Sequence, residues 1–69
     1  MSELSSAALE RIMRKAGAQR VSAEAIESLA QAMEDYGLAL STEAASLARH
    51  AGRKTVKRED VRLAGRHLK

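Results

Sequence analysis

The chain has 69 residues, of which 45% are apolar and 30% are charged, and its net charge is +3. Almost half of the apolar residues are alanine, Tyr36 is the only aromatic residue and there is no Cys, which excludes a thick core and a disulfide. A chain this short buries only about 60% of the surface of its unfolded form. We therefore expect residues 1–69 to form a single domain that is stabilised by association with a second chain.

Membrane insertion is not expected from the hydropathy pattern. No stretch approaches the roughly 20 consecutive apolar residues that span a bilayer, and the first residues lack the basic and then apolar order of a signal peptide. The composition therefore predicts a soluble intracellular protein without a membrane partner.

The positive charge is concentrated in the last third of the chain. There is no Lys or Arg between Arg20 and Arg49, whereas from Arg49 onwards eight basic residues face only Glu59 and Asp60. Such a segment is typical of a protein that binds a polyanion, although a solvated helix face explains the charge alone equally well.

The first predicted helix covers residues 5–16. Leu9, Ile12 and Met13 recur in it at helical spacing, and Gly17 follows where a left-handed glycine commonly ends a helix. Ser22 can cap the next helix, so a loop is predicted between Gly17 and Ser22.

The central predicted helix is unusually long and covers residues 23–51. At 1.5 Å per residue it would measure about 40 Å, which two short flanking helices cannot cover. Small residues beside its apolar stripe, Gly37 and Ala44 among them, would let another helix approach closely. This stripe is therefore expected to cross its copy in a second molecule. Its members are Ile26, Leu29, Met33, Leu40, Ala44, Leu47 and Ala51.

The third predicted helix covers residues 58–68. Its apolar residues Val61, Ala64 and Leu68 are spaced to share one face, which we expect to be buried. The outer face then carries basic residues, namely Arg58, Arg62, Arg66 and Lys69.

No catalytic or metal-binding pattern is present in the sequence. Neither His50 nor His67 belongs to a known ligand spacing, and there is no phosphate-binding glycine loop or nucleophile elbow. We expect neither an enzyme nor a bound metal or cofactor.

The two predicted loops are better candidates for a binding site. The first contains Arg20, and the second contains Arg53, Lys54 and Lys57 together with the hydroxyl of Thr55. Loop amides and helix N-termini donate well to phosphate oxygens, and a neighbouring cation adds charge. In an antiparallel dimer of the long helices, the first loop of one chain would lie near the second loop of the other.

Two segments resemble a known family. Residues 48–61 (ARHAGRKTVKREDV) look like the end of the central helix, the second loop and the third helix of archaeal histones. Residues 11–25 (RIMRKAGAQRVSAEA) are similar to the first helix and loop of the same proteins. The resemblance extends over roughly residues 4–68, and the second motif is specific.

The resemblance implies an all-α, tailless histone fold of helix, loop, long helix, loop and helix, assembled as an intertwined head-to-tail homodimer. By matching position, Arg11 and Arg20 would enter the minor groove, while Lys54 and Thr55 would hold phosphates. The full expected DNA-binding set is Arg11, Arg14, Arg20, Arg53, Lys54, Thr55 and Lys57.

The resemblance also implies that Arg53 and Asp60 form an ion pair that fixes the second loop. Asp60 as a simple cap of the third helix is the plainer interpretation, and both roles can coexist. Leu47, His50 and Asp60 match the positions at which two dimers meet, although a lone histidine is more often structural.

The expected function is therefore to bind double-stranded DNA with little reading of base sequence and to compact or wrap it. The partners would be DNA, a second copy of the chain in a dimer, tetramer or larger array, and another histone as a heterodimer partner. The expected location of the protein is the cytoplasm, on the chromosome, as part of the nucleoid. Two alternatives stay open: a dimerisation module for another protein and a helix-turn-helix repressor, whose short elements fit the long stripe poorly.

Overall fold

The computed structural model describes residues 4–68, which form three helices and, within that range, no strand. The helices are α1 (Ser6–Lys15), α2 (Ala23–His50) and α3 (Arg58–His67). Helix α1 is one residue shorter at each end than its predicted range. Helices α2 and α3 begin at the predicted residue and end one residue earlier than predicted. The predicted all-α class is confirmed, and Lys69, expected on the outer face of the third helix, lies outside the described residues.

Serine side chains cap the first two helices. The Ser5 hydroxyl accepts a hydrogen bond from the Ala8 N–H at 3.3 Å, and the Ser22 hydroxyl accepts one from the Ala25 N–H at 3.0 Å. Each bond satisfies a backbone donor that has no partner inside its helix. The predicted cap at Ser22 is therefore confirmed.

Left-handed glycines end α1 and α2 in the same way. Gly17 has a φ of 110° and Gly52 a φ of 74°. Beyond each glycine the chain folds back, so that the Ala18 N–H donates to the Met13 carbonyl at 3.1 Å and the Arg53 N–H donates to the Ala48 carbonyl at 2.9 Å. Each of these hydrogen bonds runs from the sixth residue of a segment back to the first, which defines the Schellman motif. The motif fixes the direction in which each loop leaves its helix.

The chain divides into two compact units, the first of which is Met1–Asp35. Leu9 of α1 and Ala30 of α2 are its buried apolar residues among those described, at 2% and 3% exposure. Ile12 and Met33 stay exposed although both belong to the predicted apolar stripes. The apolar face of this unit is thus only partly covered.

The second unit, Tyr36–Lys69, joins the remainder of α2 to α3. Ala44, Ala48 and Ala64 are buried, and Asp60 lies one turn before Ala64 on the packed side of α3. The expected burial of the third helix is correct for Ala64 but wrong for Val61 and Leu68 in this chain. Val61 is 42% exposed because it lies beside the packed line of Asp60 and Ala64, and Leu68 is 39% exposed at the C-cap, just beyond the last helical residue His67.

The core is too thin to hold a chain of this size by itself. Among the described residues the buried apolar side chains are one leucine and four alanines. Side chains this small remove little apolar area from water, whereas fixing each residue costs about 1.5 kcal/mol. So thin a core leaves much of the apolar surface of the described residues exposed to solvent.

Candidate nucleic-acid interface

Loop 1, residues 16–22, is held by the side chain of Arg14. Its Nε and one terminal nitrogen donate to Glu10 Oε2 at 3.1 and 2.8 Å, and the other terminal nitrogen donates to the Gln19 carbonyl at 3.1 Å. Arg14 therefore ties the last turn of α1 to the middle of loop 1. A guanidinium has five N–H donors, so two remain for another acceptor.

Arg20 follows this clamp and lines an open concavity. The surrounding side chains are mostly apolar, with Met13, Val21 and Ala25 among them. Arg20 and Arg11 are both exposed and make no ion pair within residues 4–68. These two cations are therefore free to meet an anion from outside the chain.

Loop 2, residues 51–57, is closed by Arg53 and Asp60. The two terminal nitrogens of Arg53 donate to the two carboxylate oxygens of Asp60 at 2.9 and 2.8 Å. Arg53 also donates to the Thr55 carbonyl at 2.9 Å, and the Lys57 N–H donates to Asp60 Oδ2 at 2.7 Å. The pair that the resemblance implies is thus present as a bidentate bridge that fixes both ends of the loop.

The charge states of this bridge favour its persistence. The Arg53 guanidinium, aided by the Lys57 N–H, lowers the pKa of Asp60 from its ordinary 3.8 to about 2. The hydrogen bond to Asp60 in turn raises the pKa of Arg53. Both groups are therefore ionised over the whole range in which the protein would work.

The same bridge leaves the other polar groups of loop 2 exposed. Lys54, Thr55 and Lys57 all face solvent, and neither lysine side chain forms an ion pair in the described part of the chain. They precede the N-terminus of α3, where the helix dipole is positive. Loop 2 therefore presents two ammonium groups and a hydroxyl beside a favourable anion-binding end.

The three residues expected between dimers have different environments. Leu47 is half-buried and His50 is exposed, while Asp60 is only 5% exposed and is engaged by Arg53. His50 Nδ1 lies 2.9 Å from the Ser46 carbonyl. Because a carbonyl can only accept, this contact favours a proton on Nδ1 and leaves Nε2 for a partner. Their role between dimers stays a prediction.

Two side-chain contacts among the described residues were not anticipated from the sequence. Glu10 and Arg14 are four residues apart on α1, a spacing that could have revealed them. Glu43 and His67 are 24 residues apart, and their 2.8 Å contact joins α2 to α3 without any local signal. Both contacts fix helices that flank the loops.

Metal binding and membrane crossing both require features that are absent from the described residues. Within residues 4–68 no cluster of three or more His, Cys, Asp or Glu side chains could hold a metal ion. None of the described helices combines the length and the hydropathy that crossing a membrane requires.

Comparisons with known proteins identify the family of this chain. Residues 2–64 match the family described as "Histone-like transcription factor (CBF/NF-Y) and archaeal histone". The chain belongs to this family. It is 55% identical to one of the subunits of archaeal histone HAN1 of Thermococcus zilligii over 64 residues, which cover 93% of this chain and 96% of that protein. It is 50% identical, with the same coverage, to probable archaeal histone 3 of Methanocaldococcus jannaschii.

Membership settles the fold and the broad class of function. The chain has a histone fold and is a histone-like chromosomal protein of a DNA-binding family. Histones are structural proteins of DNA packaging, so this histone-like chain is not an enzyme.

Proposed function

We propose that this protein compacts or wraps double-stranded DNA by binding its sugar-phosphate backbone, with little dependence on base sequence. The observation that supports this function best is loop 2. There the Arg53–Asp60 bridge fixes the backbone, while Lys54 and Thr55 are exposed at the N-terminal end of α3. Such groups suit phosphate oxygens, which are the same at every base pair.

The active form is proposed to be a head-to-tail homodimer. Its main support is the thin core, together with exposed apolar side chains on all three helices. In the first unit these include Ile12 and Met33, and in the second Tyr36 and Val61. A second copy would cover them and would pair the first loop of one chain with the second loop of the other.

Within this dimer the first helix and loop 1 would supply the remaining DNA contacts. Arg11 and Arg20 are exposed cations without a carboxylate partner among residues 4–68, which suits entry into a minor groove. Arg14 and Arg53 have a second task as clamps of their loops, and their unused N–H donors would reach phosphates.

Higher assembly is proposed to use Leu47, His50 and Asp60, with pairs of dimers meeting along the DNA. Digestion of long mixed-sequence DNA by a nuclease tests this step. Protected fragments that increase in regular increments would support stepwise wrapping. Uniform protection would contradict wrapping while leaving DNA binding intact, and no protection at low salt would favour a protein partner.

The DNA contact itself is tested by Lys54→Ala, with Lys15→Ala as the matched control. Both substitutions remove one exposed lysine, but Lys15 lies in the last turn of α1, outside the proposed contact set. We expect Lys54→Ala to weaken binding equally on unrelated sequences. The slope of log K against log salt should fall by about 0.9 for each phosphate that is no longer bound, hence by about two for a dimer.

The result that would contradict this proposal is an effect of Lys54→Ala confined to one DNA sequence. Equal effects of the two substitutions would also contradict it, because general charge would then explain the binding. Circular dichroism of each variant shows whether the helices are intact.

A further inference from the structure

Three arginines form a strip on the outer side of α3. Arg58, Arg62 and Arg66 follow one another at four-residue spacing, and all three are exposed. Each lies two residues from buried Asp60 or Ala64, which places it about half a turn away from the packed side of the helix. We call Arg58, Arg62 and Arg66 the α3 strip.

No ion pair among residues 4–68 involves a member of the α3 strip. Within residues 4–68 none of its guanidinium groups forms a hydrogen bond or an ion pair with a side chain, although Glu59 is on the same helix. Arg14 and Arg53 behave differently, since each is bound to a carboxylate. The strip therefore carries positive charge without a direct ion pair, although Glu59 lines the same concavity as Arg58 and Arg62.

This arrangement is unfavourable for an isolated helix. Like charges four residues apart repel each other by about 0.2–0.5 kcal/mol per pair. Arg58 also lies in the first turn of α3, where the dipole is positive and anions are preferred. A polyanion along the strip would offset these repulsions, because it attracts each guanidinium group.

We propose that the α3 strip docks the phosphates of a second DNA duplex, so that one histone assembly bridges two DNA segments. The proposal rests on the function proposed above for the first duplex, which is held by the loops. Its partner is duplex DNA because arginine binds phosphate bidentately, and because a duplex presents one charge per about 1.7 Å of its axis to a row of cations.

The direction of the strip favours a second duplex over a continuation of the first. Loop 2 ends at Lys57, so DNA held by Lys54 and Thr55 lies at the N-terminal end of α3. The strip extends from that end along the side of the helix for about 12 Å. This distance equals about four base pairs, and bending DNA with a persistence length of about 150 base pairs so sharply costs free energy, which favours a separate duplex along the strip.

The test compares wild type with the triple variant Arg58→Gln, Arg62→Gln and Arg66→Gln. One assay measures the affinity for a single short labelled duplex by fluorescence anisotropy. The other uses beads that carry an unlabelled duplex and are saturated with wild-type or variant protein at the same salt concentration. It measures how much labelled duplex these beads capture. Lys54→Ala is the reference for removal of the loop contact.

For the triple variant we expect single-duplex affinity within about threefold of wild type and a loss of at least about tenfold in bead capture. Lys54→Ala should weaken both readings. A variant with lysine at the three positions keeps the charge and should retain capture at low salt. Because all three side chains are exposed, circular dichroism should show unchanged helix content.

Several results would overturn the proposal. Unchanged capture would mean that the strip does not bind DNA, and an equal loss in both assays would mean that it extends the first DNA path. Altered association of copies without DNA, measured by sedimentation, would assign the strip to an acidic face of another copy. Wild type that binds the short duplex without bridging would overturn this proposal alone, whereas wild type that binds no duplex would overturn the proposed function as well.

Discussion

Gly37 offers a direct test of where two copies of α2 cross. It lies near the midpoint of the 28-residue helix, which is where two antiparallel rods related by a two-fold axis meet. Apart from the adjoining residues and the nearby backbone of α2 itself, a Cβ built on Gly37 has no atom of the described chain within 4 Å. Within one chain Gly37→Ala should therefore only improve helix propensity, by about 1 kcal/mol.

Contact with a second copy would make Gly37→Ala destabilising instead of stabilising. If the helices cross at Gly37, the added methyl group enters a close contact, and overpacking costs about 1–3 kcal/mol at each of the two symmetric positions. Gly65→Ala is the matched control, because its added Cβ meets only Leu40 Cδ1 at 3.9 Å, an ordinary contact. Helix propensity is the same for both variants, so their difference isolates the crossing.

Urea unfolding at several protein concentrations measures both variants. We expect Gly65→Ala to raise the unfolding free energy of the dimer by about 2 kcal/mol, one for each chain. Gly37→Ala should lie about 2–6 kcal/mol below that control. Equal stabilisation by both substitutions would refute a crossing at Gly37.

Three further predictions concern the loops and their clamps. The pKa of Asp60 is lowered to about 2, so its contribution to stability is complete above about pH 4 and is lost as the pH falls towards 2. Unfolding curves over that range should shift more for wild type than for Asp60→Asn, and parallel shifts would refute the role of the bridge. Gly52→Ala should cost about 1–2 kcal/mol because of its φ of 74°, and Gly52→Asn should cost less; equal costs in thermal unfolding would exclude backbone strain. Glu10→Gln breaks an exposed pair, so the unfolding free energy should change by less than about 0.5 kcal/mol in urea, and a larger loss would mean that the clamp on loop 1 is structural.

Local signals in the sequence were sufficient for the helices and the loops. Ser22 and the two glycines at positions 17 and 52 specify helix ends through hydrogen bonds that reach only three to five residues along the chain. Such interactions depend on residue type and spacing alone, so they can be predicted without a tertiary structure. The family motif in residues 48–61 added the pairing of Arg53 with Asp60.

The tertiary structure decided which side chains are covered and which cations are neutralised. The periodicity of α3 predicted burial of Val61 and Leu68, but Val61 lies beside the packed line of Asp60 and Ala64, and Leu68 lies beyond the end of the helix. The contact of Glu43 with His67 likewise follows from the position of α3 against α2. The spacing of apolar residues locates the buried face of a helix only approximately, to about one residue in a turn of four. Which line of residues is buried depends on how closely a neighbouring helix can approach. The same packing separates Arg53, which is turned inward to a carboxylate, from the arginines of the α3 strip, which are left to solvent.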